Sequence, residues 1–156
     1  MLNLIFCGMN SDEPYVIGNY YNGTIEIAGR FHCEEPTTEE FLSEMTQWLR
    51  FYHDNSNKSH LAINFRLSYF TEYSKKTFHV LFSFIHELVV DSKLQVDINW
   101  FYDFLDDKEY DDVLEDEKFY ADLIKDYNKE FPNLKFTTIP DNSFSQNIEE
   151  IEKSFF

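Results

Sequence analysis

The sequence predicts an α/β domain: a single sandwich with a mixed sheet and the element order β-β-α-β-α-β-α-β. Three observations carry this. Asn22-Gly23 separates two runs rich in Ile, Val and Tyr, a hairpin signature. After it, segments of period two alternate with segments of period 3.6. Strands separated by single helices favour right-handed crossovers and parallel pairing.

The elements follow in order. Strands are expected at about 14–20 and 24–31 of "YVIGNYYNGTIEIAGRFH", while "MLNLIF" reads either as a further strand or as an N-terminal extension over residues 1–13. Pro36 ends the extended run, and Thr37-Thr38-Glu39-Glu40 offers a capping box, with Thr37 as the cap and Glu40 reaching back. The helix it opens, to about His53, carries Phe41, Met45, Trp48, Leu49 and Tyr52 on one stripe, the mark of a core face. "LAINFRLSYF" alternates, placing Leu61, Ile63, Phe65, Leu67 and Tyr69 on one face and Arg66 on the other. From Thr71 the period turns helical through Phe78, Leu81, Phe82, Ile85, Leu88 and Val89. "LQVDINWFYDF" is a strand from Leu94 to about Tyr102. A helix at about 112–128 follows, with Val113, Leu114, Phe119, Tyr120, Leu123, Ile124 and Tyr127, and then the strand "LKFTTIP". The domain proper spans 14–140, and the tail 141–156 has Ile148, Ile151 and Phe155 at helical spacing.

Charge narrows the function. Twenty-nine Asp and Glu against 13 Lys and Arg give −16, which repels nucleic acid and anionic lipid and attracts basic partners. No stretch reaches the roughly 18 apolar residues needed to span a membrane. No basic region precedes the short N-terminal apolar run, so a cytoplasmic protein is expected. Cys7 and Cys33 form no metal or redox spacing and read as free thiols. The five histidines are scattered, and no cofactor or metal is expected.

Nor is an enzyme expected. There is no G-x-S-x-G elbow and no glycine-rich phosphate loop, and all four glycines precede residue 31. The run from Asp103 to Asp126 holds eleven carboxylates against three lysines, a net of −8, without the glycine that a calcium-binding loop requires. It suits a solvated helix start, or a surface for a basic partner.

The junction "FRLSYFTEYSKK" joins strand to helix at residues 65–76. Negative charge is favoured at a helix start, by a bound or covalent phosphate or by a carboxylate. Thr71 as N-cap, Glu72 in the first turn and Ser74 as an ordinary polar residue would equally make a plain cap.

The strand "TIEIAGRFH" before a Trp-containing helix, the strand "INFRLSYF", and above all "VDINWFYDFLDDKEYDDVLEDEKFYADL" resemble the SiaC family of bacterial regulatory phosphoproteins over residues of about 14 to 124. The resemblance implies a fold like the STAS domain of anti-sigma-factor antagonists. It also implies a non-enzymatic signalling protein acting by phosphorylation-sensitive protein binding, with a diguanylate cyclase and a serine/threonine kinase and phosphatase as partners. Cyclic-di-GMP and biofilm regulation would follow.

In that family the phosphoacceptor is the threonine of an Asn-Thr-Ser-Ser run after a Leu-x-Tyr-Leu strand end. Aligned without a gap, Tyr69 and Phe70 match the strand end, Thr71 the asparagine, Glu72 the phosphothreonine, and Tyr73 and Ser74 the serines. Three readings stay open: Glu72 as a fixed partial mimic of the phosphate, Thr71 as the acceptor after a one-residue shift, or loss of the usual switch. The regulatory region is thus Thr71, Glu72 and Ser74, and the expected partner contacts are Tyr69, Tyr73, Lys76, Trp100, Tyr102 and Asp103. The rival reading is a small acidic immunity protein or nucleic-acid mimic that binds a basic partner through Asp111, Asp112, Glu115 and Asp116.

Overall fold

The computed structural model describes residues 3–8, 12–104 and 110–155, with the backbone alone for residues 110–115. Met1 and Leu2, and the side chains of the acidic run from Asp106 to Glu115 with Val113 and Leu114 among them, lie outside the described residues. The elements are β1 (Asn3–Cys7), β2 (Tyr15–Asn19), β3 (Thr24–Phe31), α1 (Thr37–Asn55), β4 (His60–Phe70), α2 (Glu72–Val89), β5 (Gln95–Asp103), α3 (Tyr110–Glu130), β6 (Lys135–Asp141) and α4 (Phe144–Lys153). They form one six-stranded sheet in sequential order, antiparallel from β1 to β3 and parallel from β3 to β6. The α/β class and mixed sheet are those the sequence predicts. Residues 3–7 add an edge strand, and the tail adds a helix.

Sequential order has a consequence for layering. Three successive right-handed crossovers running the same way across the sheet put α1, α2 and α3 on one face. That face holds the core: Ile25, Ile27 and Phe31 of β3, Leu61, Ile63, Phe65 and Leu67 of β4, and Val96, Ile98 and Trp100 of β5. Phe41, Trp48, Phe78 and Phe82 come down from α1 and α2. The opposite face is polar. Arg66 pairs with Glu26, lies 3.6 Å from Asp141 Oδ2 and stacks over Phe101, while Asn64 donates to Glu26 and Asn99 to Asn64. The helix α4 packs on this face, with Phe144 buried and Asn147 donating to Asp141.

Three local expectations are corrected. The β2–β3 hairpin is joined by residues 20–23, one residue more than the expected strand bounds leave. Asn19 Oδ1 accepts from the amides of Tyr21 and Asn22 at 3.0 Å, and Gly23 at φ +67 closes the loop against Tyr52 and His60. The N-cap of α1 is Pro36 with no side-chain cap bond, because Thr37 and Thr38 are buried within the first turn. Tyr69 does not share the face of Leu67. The β3–β4 register slips beside Gly29 (φ +97), which pairs with Leu67 while Arg30 pairs with Tyr69, so Ser68 is the extra residue. One residue of slip reverses the alternation, so Phe70 faces the core and Tyr69 the other side.

Candidate functional site

The carboxyl ends of the parallel strands are where open α/β sheets usually bind ligands, in the crevice opened where strand order reverses. The order here does not reverse, so this end presents a surface instead of a deep cleft. Its most structured feature is the passage from β4 into α2. Thr71, extended at φ −111 and ψ 171, is the N-cap. Its Oγ1 accepts from the Ser74 amide at 3.1 Å, and the Thr71 amide donates to Ser74 Oγ at 3.1 Å, completing a capping box in which serine takes the usual Glu position.

Ser74 does more than cap. It is 1% exposed, its Oγ lies 2.9 Å from Thr71 Oγ1, and it donates to the Phe31 carbonyl at 2.6 Å. One buried hydroxyl therefore ties the start of α2 to the end of β3. The reading of Ser74 as an ordinary polar residue is corrected: its hydroxyl is buried and bonded across to β3. Glu72, by contrast, projects outward with 88% of its side chain exposed, and Lys75 Nζ meets it at 2.8 Å.

Shallow grooves flank Thr71 on both sides. One, of about 290 Å³, runs between the β4–α2 corner and α3, where Tyr69, Glu72, Lys75, Asp116 and Phe119 line it. The other, of about 300 Å³, is lined by His32, Cys33, Glu34, Glu35, Thr71 and Tyr73. Tyr69 is held upright by Arg30, 4.4 Å above its ring, and by the stacked imidazole of His32. The bulge that turned Tyr69 outward is what places it here.

The field at this corner is negative. Burial pushes the Tyr120 phenol up to about 12, and Asp116 and Asp103 add to the effect. Tyr102 is raised by burial, then by Glu117 and Asp116. Burial also holds the Cys33 thiol up at about 12, with Glu13 contributing, so it stays protonated and a poor nucleophile. Among the described residues no group of three His, Cys, Asp or Glu could hold a metal ion.

The expected contact residues divide. Tyr69, Glu72, Tyr73 and Lys76 are exposed and close in sequence, and Thr71 sits between the grooves. Asp103 ends β5, partly buried. Trp100 and Tyr102 are corrected as contact residues. Trp100 is fully buried, stacked at 4.5 Å on Phe65, and Tyr102 is buried and stacks on Tyr120 at 5.4 Å. Both point to the helix-covered face, where alternation along β5 puts them with Val96 and Ile98. Trp100 lies beneath Phe70, whose ring centroid is 5.5 Å from that of Trp100 and 6.1 Å from that of Phe119.

Phe119, named in the sequence only as one of the apolar residues of α3, is 46% exposed at the corner.

Elsewhere, a polar groove of about 620 Å³ lies at the opposite end of the sheet. His60 and Asp97, 2.6 Å apart, line it with Val90 and Lys135. No helix among the described residues is long and apolar enough to cross a membrane.

Comparison with known proteins agrees with this fold. Residues 8–141 match the family described as SiaC family regulatory phosphoprotein. Two solved structures are similar: apo-SiaC from Pseudomonas aeruginosa, at TM-score 0.65 and 17% identity over 88% of this chain and 98% of that one, and SiaC of the same organism, at 0.66 and 17% over 90% and 100%. No curated protein sequence matches.

Proposed function

Because the chain belongs to the SiaC family of regulatory phosphoproteins, we propose that it is a non-enzymatic cytoplasmic regulator that binds protein partners at the Thr71–Lys76 corner. By its family, those partners are a diguanylate cyclase together with a serine/threonine kinase and phosphatase. Its output is then the regulation of cyclic-di-GMP and biofilm behaviour.

In this reading the usual reversible switch is lost. The carrying observation is the exposed carboxylate of Glu72 in the first turn of α2, which the ungapped match of the strand end sets against the family's phosphothreonine. A carboxylate brings one charge and two acceptor oxygens, where a phosphate brings nearly two charges and three. It also persists without a kinase. The neighbouring hydroxyls supply no ready substitute: Thr71 Oγ1 is engaged by both the amide and the hydroxyl of Ser74, and Ser74 is buried.

The test is a pull-down from the native host with wild type, Glu72→Thr and Glu72→Ala, read by mass spectrometry with phosphosite mapping. Recovery of a cyclase or kinase, with new phosphate on the Thr variant, supports the reading. Stoichiometric phosphate on Thr71 of the wild type, or an unrelated basic partner held equally by all three proteins, overturns it.

A further inference from the structure

Phe119 belongs to no part of the phosphoacceptor run, yet it shares a surface with it. Of the large apolar side chains most exposed among the described residues, three gather round Thr71: Tyr69 at 41%, Tyr73 at 48% and Phe119 at 46%. They come from three elements, the end of β4, the first turn of α2 and the middle of α3. The groove between the corner and α3 brings Tyr69 and Phe119 together, and the groove beyond Thr71 takes in Tyr73. Exposed aromatics beside small grooves are the usual anchors of protein interfaces.

The charge lining the two grooves is mainly negative, and Arg30, over the Tyr69 ring, is paired with Asp12. Glu34 and Glu35 line one groove, and Glu72 and Asp116 the other. The lysine lining the second groove, Lys75, is committed to Glu72 and lies 5.5 Å from the Phe119 ring. A second copy of this chain, at −16, is repelled, as are acidic segments.

We propose that this surface, completed by Phe119 and Asp116 of α3, receives a partner segment with an apolar anchor flanked by Lys or Arg. The anchor enters a groove beside Thr71, and its flanking cations meet the carboxylates of the rim. The proposal rests on the corner being the binding surface, and it adds the partner's chemistry and the contribution of α3.

The experiment uses three labelled synthetic peptides and the full chain, read by fluorescence anisotropy at two salt concentrations. One peptide carries Trp and Leu anchors between lysines, the second replaces lysine with glutamate, and the third replaces the anchors with alanine. The expected result is salt-sensitive binding of the first alone, weakened tenfold or more by Phe119→Ala and by the surface pair Glu34→Gln/Glu35→Gln, and unchanged by the remote Val90→Ala. The surface pair keeps the test valid if Phe119→Ala misfolds. Equal binding of the anchorless peptide, binding of the acidic one, or equal effects of the corner variants and Val90→Ala overturns the proposal. Failure of the regulatory reading shows separately, as indifference of the native partner to substitutions at Glu72.

Discussion

Replacing Ser74 with alanine should destabilise the protein more than replacing Thr71, the nominal cap. Ser74→Ala removes the bond to the Phe31 carbonyl at 2.6 Å, the bond from the Thr71 amide at 3.1 Å and the 2.9 Å contact with Thr71 Oγ1. Leaving the buried Phe31 carbonyl without this donor costs about 1–3 kcal/mol, and the part-buried Thr71 amide, which water can reach, loses about 1 kcal/mol more. A total of about 2–4 kcal/mol follows. Thr71→Ala removes a cap bond worth about 1 kcal/mol and leaves the tie to Phe31 in place. With a urea m-value of about 2 kcal/mol/M, the midpoint should fall by about 1–2 M for Ser74→Ala and about 0.5 M for Thr71→Ala. Urea unfolding followed by Trp fluorescence measures both. A Thr71→Ala loss equal to or larger than that of Ser74→Ala would refute the reasoning, since it would mean the corner is held by its cap and not by its tie to β3.

Burial and exposure make further contrasts. Trp100→Ala should cost about 3–5 kcal/mol, as for large aromatics removed from a core, and Phe119→Ala no more than about 1 kcal/mol; the same urea titration separates them. Glu26 has its pKa raised by burial, partly offset by Asn64 and Arg66. A raised folded value means that the folded state binds the extra proton. This carboxyl's contribution to stability is therefore full below the ordinary glutamate range and declines as pH rises through the folded value. Carboxyl carbon NMR should show a Glu26 midpoint above 4.5, and a midpoint below it would contradict the burial argument. Cys7 is exposed and Cys33 is buried with its pKa pushed up to about 12, so a thiol reagent at neutral pH should label one cysteine in the native protein and two in urea. Rapid native labelling of Cys33 would show that the loop after β3 opens.

The α/β class was legible because every parallel strand and every crossover helix announces its own period, and the Phe41–Tyr52 and Phe78–Val89 stripes land in the core as spaced. What periodicity could not carry was a break in phase. The bulge opposite Gly29 moved Tyr69 from the face of Leu67 to the outside, and that displacement creates half of the candidate surface. A glycine inside a strand was the visible hint. The burial of Trp100 follows from its parity with Ile98, which the strand pattern contains, whereas its aromatic character alone suggests a contact residue. Ser74 was invisible as a structural tie because its partner, the Phe31 carbonyl, lies 43 residues away in sequence. The family resemblance is most specific in the stretch around Asn99 to Phe119, while the match of Glu72 to the phosphothreonine rests on an ungapped count along the strand end.

The central claim is that partners meet this protein at the corner between β4 and α2. Site-specific photo-crosslinking in the native host tests it most directly, with a photoreactive side chain at Tyr73 in one strain and at Val90, on the rim of the larger groove at the other end of the sheet, in a second. The account predicts a discrete partner adduct from Tyr73 and none from Val90. An adduct from Val90 with none from Tyr73 would contradict it and move the functional surface to the opposite end of the molecule.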